Sequence, residues 1–318
     1  MKLSNYSDGR DNNFNLVRAV AALAVLITHS FALAIGSGDA EPFKANLGMT
    51  IGSIAVDIFF ITSGFLVTSS LLNRQSIVEF IRARALRIFP ALLVMLFLTV
   101  FVLGVIFTSL PISDYFSSTK TYVYLAKCAT LFTGVTYHLP GVFEDNPYKN
   151  TVNGSLWTLP KEVRMYAILA LVWLGLRFSS RSRSTLFQII VVIFCLSSGI
   201  YILAEHFFLD SVSRSAKLFF MFFTGSAFYV LREHIALRAW LFWSCVIALS
   251  AATLNKDVFF IVYVLTIAYI LFSLAYVPSG MFIWRMSRPA WSADTTNWVT
   301  TLTAFIFMPF PYSRRRPP

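Results

Sequence analysis

Nine apolar runs recur along this chain, at residues 14–35, 47–72, 88–110, 121–137, 155–176, 186–208, 217–231, 239–254 and 258–277. Most approach the roughly 20 residues an α-helix needs to cross a bilayer core. A chain of 318 residues that is 57% hydrophobic and only 13% charged has too little polar surface to cover one soluble globule. In lipid, backbone polar groups must bond within their own segment or close into a barrel. The expected fold is therefore all-α, a polytopic transmembrane helix bundle of about eight or nine spans. Lys2, Asp8, Arg10 and Asp11 could mimic the charged start of a signal peptide. The apolar run after them is too long for one, contains Arg18 and lacks a small-residue cleavage site, so it reads as a retained first span.

The net charge of +11 would suggest nucleic acid in a soluble protein, but here topology accounts for it. An N-terminus inside puts Lys2, Arg10, Arg74, Arg82, Arg84, Arg87 and the arginines at 177–183, 232–238 and 285–288 on the cytoplasmic face. Only Lys44, Lys120, Lys149, Arg214, Lys217 and Lys256 fall in the opposite loops, in keeping with the positive-inside rule. That orientation does not allow 121–137 to cross, so this stretch reads as re-entrant or lying at the outer interface. Residues 138–154, "HLPGVFEDNPYKNTVNG", are dense in turn formers and form an outer loop. Cys128, Cys195 and Cys245 lie far apart within apolar stretches, which points to buried thiols with neither a disulfide nor a metal site.

An ionisable group inside a bilayer costs roughly 2.5–3.5 kcal/mol or more, so each must face protein or water. Arg18 and His29 are eleven residues apart in the first run. On a helix this is three turns plus about 20°, so they share a face about 16 Å apart along the axis. Both could also be tolerated exceptions, a snorkelling arginine and a hydrogen-bonded core histidine. Asp57 lies in "GSIAVDIFFITSGFL", with Ser63 and Gly64 further in. In "NGSLWTLPKEVRMY", Trp157 stands where an interfacial anchor would, and Glu162 and Tyr166 are one turn apart on one face. Lys161 and Arg164 could neutralise Glu162 locally. Counted along their runs, His29, Asp57 and Glu162 all fall in outer halves, so the three could meet in one cavity. In the inner loop "NRQSIVEFIRARALRIFP", Arg84 and Arg87 share a helix face, and their guanidinium forks suit phosphate. Basic residues at that edge could equally just set topology and touch anionic lipid.

These stretches together resemble the membrane acyltransferases of type 3, a family of bacterial carbohydrate O-acetyltransferases. The resemblance spans about residues 10–290. It is carried by Arg18 to His29, "AVDIFFITSGFL" at 55–66, "RALRIFPAL" at 84–92 and "LPGVF…NGSLWTLPKEVRMY" at 139–166, in that order. It implies a bacterial inner-membrane enzyme using an acyl donor, usually acetyl-CoA, from the cytoplasm. The acceptor it implies is a hydroxyl of a cell-envelope carbohydrate presented from outside, with no metal and no nucleic acid. It makes His29 the essential histidine, Arg18 its paired cation, Arg84 and Arg87 the Arg-x-x-Arg pair that holds the donor's phosphates, and Glu162 the acid of the Ser-Leu-Trp stretch. His29 would then be the general base, oriented by Glu162 or Asp57, with Trp157 and Tyr166 on the substrate side.

The domain is expected to end near 290, because 291–318 carries no family motif and closes on "RRRPP". Codons built from the third base of one residue and the first two of the next read only Leu at Asn297–Trp298, Gly at Trp298–Val299 and Ala at Met308–Pro309. These match the family's expected Leu-Gly-Asp-Tyr-Ser-Tyr-Gly-Ile-Tyr-Leu-Tyr-Ala segment at the right spacing. A one-nucleotide frameshift between about Ile283 and Asn297 is therefore expected, with the last span or spans lost and an inactive product as one consequence. Intramembrane His, Asp and Glu also suit a proton-coupled transporter or exporter of small solutes. That reading expects symmetry between halves, and the sequence shows no internal repeat.

Overall fold

A computed structural model describes residues 2–7, 12–74, 76–178, 182–209 and 211–276, so the expected out-of-frame tail lies outside the described residues. The long helices are α1 (Phe14–Ile35), α2 (Ile51–Arg74), α3 (Ile77–Phe97), α4 (Thr119–Thr130) and α5 (Leu159–Gly175). They continue with α6 (Arg183–Leu209), α7 (Arg214–Val230), α8 (Ala239–Ala252) and α9 (Lys256–Tyr276). A turn of π-helix at Leu98–Leu103 and a last turn at Gly104–Phe107 carry α3 on without a break.

Five of these helices among the described residues are long and apolar enough to cross a membrane: α1, α2, α3 with its extension, α6 and α9. The apolar runs at 155–176, 217–231 and 239–254 form shorter helices, of 17, 17 and 14 residues. The run at 121–137 becomes the 12-residue α4 followed by loop, about 18 Å of helix and too short to cross.

Contacts between helix ends place several of the helices relative to one another. Leu3 N–H donates to the Ile235 carbonyl at 2.8 Å, and Asn13 N–H to that of Ala275 at 2.8 Å, gathering the starts of α1 and α8 and the end of α9 at one end. At the other end Gly36, in the left-handed conformation that closes α1, presses on the Pro147 backbone. There too His206 of α6 lies 3.6 Å from Asp257 of α9.

One expected boundary moves, with consequences for the site. The 73–90 stretch is not an inner loop, because α3 begins at Ile77. Ser76 caps it by accepting from Glu79 N–H at 3.3 Å, and the Ser-x-x-Glu pattern is a helix-start signal. Arg82, Arg84 and Arg87 are therefore helical: Arg82 is exposed, while Arg84 and Arg87 are half-buried.

Two cores result. The larger is aromatic and centres on α2, α7 and α9, where the Phe65 and Phe272 rings sit 4.7 Å apart. It depends on a close crossing of α2 and α7. A Cβ on Gly64 would come within 1.9 Å of the Phe222 carbonyl oxygen, and one on Gly225 within 1.9 Å of that of Ile61. Small residues permit such approach in a membrane, where packing replaces the hydrophobic drive between helices. The smaller core joins the second half of α3 to residues 112–156. Its hub is Asn153, whose amide donates to Thr99 Oγ1 at 2.9 Å and the Tyr124 hydroxyl at 3.0 Å. The Tyr115 hydroxyl takes the Val100 carbonyl, within the π turn, at 3.0 Å. Asn153 also reaches Met95, twelve residues and about 18 Å before the Phe107 end of the helix. The segment between α3 and α5 thus folds back along α3 as far as Met95, and α5 starts inward of the Phe107 end of that helix.

Candidate active site

Arg18 of α1 and Arg84 and Arg87 of α3 converge on Glu162 and Tyr166 of α5. The Arg18 guanidinium interacts electrostatically with Arg87, Glu162, Tyr166 and Arg84. Its carbon lies 5.9 Å from the centre of the Phe59 ring on α2. Arg84 lies 5.9 Å from the centre of the Tyr166 ring and interacts with its hydroxyl. Glu162 Oε1 accepts from Ser63 Oγ at 3.2 Å and from the Tyr166 hydroxyl, while Ser63 and Tyr166 are 2.9 Å apart. No ion pair within 4 Å among the described residues involves Arg18 or Arg84. Arg18 Nε and Arg84 Nε and Nη1 are buried without a hydrogen-bond partner there. Buried N–H donors without acceptors are costly in a finished core. Here they surround one carboxylate with three cations, a setting that favours a multiply charged anion.

The local ion pairing that Lys161 and Arg164 could offer Glu162 does not form within 4 Å among the described residues. Lys161 reaches away to Ser215 and lies 5.1 Å from the Trp157 ring centre, and Arg164 is exposed. Trp157 is half-buried beside Lys161, whereas Tyr166 is buried against Ser63.

The three acidic and basic groups expected to share one cavity are dispersed along α2. Thr28, the neighbour of His29, accepts from Gly52 N–H at 2.8 Å, which places His29 at the first turn of α2. Asp57 is five residues further along, about 7.5 Å deeper, and Ser63, the partner of Glu162, eleven residues and about 16 Å deeper. Glu162 is drawn inward because α5 begins inside the rim, so it keeps company with Arg18 rather than His29. Asp57 is turned away as well. Six residues separate it from Ser63, which rotates it about 120° around the helix.

Asp57 instead forms a closed structural pair. Its Oδ2 is 2.9 Å from Lys217 Nζ and accepts from the Tyr263 hydroxyl at 2.8 Å. Lys217 Nζ also donates to Ser53 Oγ at 2.8 Å. Asp57 has no exposed surface, and its Oδ1 has no partner among the described residues. Lys217 and Tyr263 were not legible as site residues, although a buried carboxylate in a span demands a cation, and a lysine in the first turn of an apolar helix is a candidate.

Glu41 is a second missed carboxylate. It is 2% exposed, accepts from Ile51 N–H at 2.7 Å and from Thr28 Oγ1 at 2.5 Å, and so caps α2 beside His29. His29 itself is half-buried and has no hydrogen-bond partner among the described residues. Its ring is thus not consumed by a structural contact. Among the described residues no cluster of three His, Cys, Asp or Glu side chains could hold a metal ion.

A bundle of apolar helices enclosing a cationic site defines a polytopic membrane protein, and sequence comparison supplies its class. The family model of the acyltransferase domain matches residues 11–308, and the chain belongs to that family. The match takes in part of the stretch beyond 290. The chain is 32% identical over 225 residues to the O-acetyl transferase of Shigella phage Sf6, covering 69% of this chain and 61% of that one. It is 28% identical over 245 residues to Nodulation protein 10 of Rhizobium leguminosarum bv. viciae, covering 76% and 62%. It thus spans about three-fifths of the length of these curated relatives. No solved structure matches.

Proposed function

We propose that this chain is an integral membrane acyltransferase that moves an acyl group, most simply acetyl, from a CoA donor to a hydroxyl of a cell-envelope carbohydrate. The supporting observation is that one helix, α1, carries Arg18 into the arginine site and His29 to the far end of the bundle, about 16 Å away. Arg18, Arg84 and Arg87 hold the donor's phosphates at the cytoplasmic side of a bacterial inner membrane, and the pantetheine arm extends along α1. At His29 the acceptor hydroxyl attacks the thioester carbonyl while the neutral imidazole takes its proton. The C–S bond breaks, and the imidazolium returns the proton to the departing thiolate. Glu162 belongs to the donor side in this scheme, and Asp57 to the framework. Trp157, beside Lys161 just before α5, lies on the acceptor's path.

The test is transfer from labelled acetyl-CoA to envelope polysaccharide by membranes carrying the protein. His29→Ala should abolish transfer while leaving the protein inserted and folded. Unchanged acylation of the acceptor would overturn the base assignment. Proton-driven solute uptake without acyl transfer would overturn the enzyme reading in favour of a transporter.

A further inference from the structure

The free N–H groups that open α2 are capped from two directions. The chain leading into the helix takes two of them: Glu41 Oε1 accepts from Ile51 N–H at 2.7 Å and Thr50 Oγ1 from Ser53 N–H at 3.0 Å. The third, that of Gly52, is taken by another helix, through Thr28 Oγ1 of α1 at 2.8 Å. The Thr28 hydroxyl then donates to Glu41 Oε2 at 2.5 Å, so both oxygens of this buried carboxylate are engaged and each proton is used once. Gly52 lets the helices touch here, since a Cβ on it would stand 2.7 Å from Thr28 Cβ. At the other end of α1, Phe14 is anchored among the rings of Phe65, Phe272 and Tyr276. Between and beyond, α1 buries Ala21, Ala22 and Ala32, whose short side chains offer little to fix a helix about its own axis.

We propose that Thr28 and Glu41 are positioning residues for acyl transfer, locking the rotation of α1 and with it the direction of the His29 imidazole. This rests on the reading of His29 as the base, and deepens it. His29 is the residue after Thr28, about 100° round the helix and about 1.5 Å along it. At the radius of a helix's side-chain envelope, about 5–6 Å, a rotation of about 10° carries the imidazole about 1 Å. A misplacement of that size can slow a reaction about a hundredfold. The Arg18 end of α1 keeps its Phe14 anchor, and the long arginine side chain can follow a small rotation, so the donor site is insulated from loss of the Thr28 contact.

The experiment measures kcat for acetyl transfer from labelled acetyl-CoA to envelope polysaccharide by the detergent-purified full chain, together with Kd for coenzyme A. Thr28→Val keeps the shape of the side chain and removes both of its hydrogen bonds. Its kcat should fall about tenfold to a hundredfold while Kd stays within about twofold, and Thr28→Ser, which keeps the hydroxyl, should recover most of the rate. Adding Glu41→Gln to Thr28→Val should lower kcat by less than about twofold more, because Glu41 reaches His29 through Thr28. A merely structural role would raise Kd as the rate falls. The proposal is overturned if Thr28→Val transfers like the original chain, if its Kd rises as steeply as its kcat falls, if Thr28→Ser is no better, or if Glu41→Gln adds a second loss as large as the first. Unchanged transfer by His29→Ala would overturn the base reading itself, whereas an inactive His29→Ala beside a fully active Thr28→Val would overturn the positioning alone. An original chain that transfers no acetyl group would overturn both.

Discussion

Asp57 and Glu162 are both carboxylates within an apolar bundle, and both face cations. Asp57 meets one ammonium at 2.9 Å and one phenol at 2.8 Å, in a pocket with no exposed surface. Glu162 meets two hydroxyls, while three guanidiniums surround it without Arg18 or Arg84 closing an ion pair. The first centre balances its charge internally and ties α2, α7 and α9 together. The second leaves positive charge and buried donors uncommitted. Burial and a charged neighbour are common to both, so neither feature alone separates a framework pair from a ligand site. What separates them is whether the donors and charges are already used.

The comparison breaks most sharply if Asp57 is truncated. Asp57→Ala leaves the Lys217 ammonium buried without a counter-ion, which typically costs about 3–5 kcal/mol. The expected outcome is an aggregated or poorly inserted protein, read by size-exclusion profile and thermal melting in detergent. Replacing both partners, as Asp57→Leu with Lys217→Met, should recover a monodisperse protein, because well-packed apolar residues can substitute for a buried pair. A single Asp57→Ala variant that melts like the original would show that the pair is not part of the framework. Gly64→Ala should come next, costing about 1–3 kcal/mol by forcing α2 and α7 apart at the Phe222 backbone. An unshifted melt would mean that the two helices tolerate a wider crossing.

These two centres were unequally legible in the sequence. Arg18, Arg84, Arg87 and Glu162 stood out because each is costly in lipid and each sits in a stretch resembling a family motif. The structure gathers them at one place. The depth of Glu162 was not legible, because it depends on Asn153 folding back to Met95 and Thr99, a contact between distant segments. Counting residues from the end of an apolar run assumes that helices start at the same rim, and α5 does not. The Lys217 partnership was hidden for a similar reason. Near the expected outer end of its run, Lys217 looks like one more loop cation, and only the crossing of α2 and α7 turns it onto Asp57. The helix start at Ile77 was legible in Ser76 and Glu79, but apolar content alone pointed to residue 88.

Arg84→Ala with Arg87→Ala sharpens the other half of the comparison, with a smaller effect on the fold than on binding. Both arginines lie on one face of a helix whose apolar packing continues into the second core, so the bundle should melt within about 1 kcal/mol of the original. Removing two guanidiniums from a phosphate site should raise Kd for coenzyme A by about tenfold or more, on the scale of one or two charged hydrogen bonds. The paired measurement of melting and binding is decisive because the two centres predict opposite signatures. A framework pair loses stability first, and a ligand site loses affinity first. Affinity equal to that of the original chain would return these arginines to setting topology at the membrane edge. A melt lowered as far as by Asp57→Ala would place them with Lys217 in the framework.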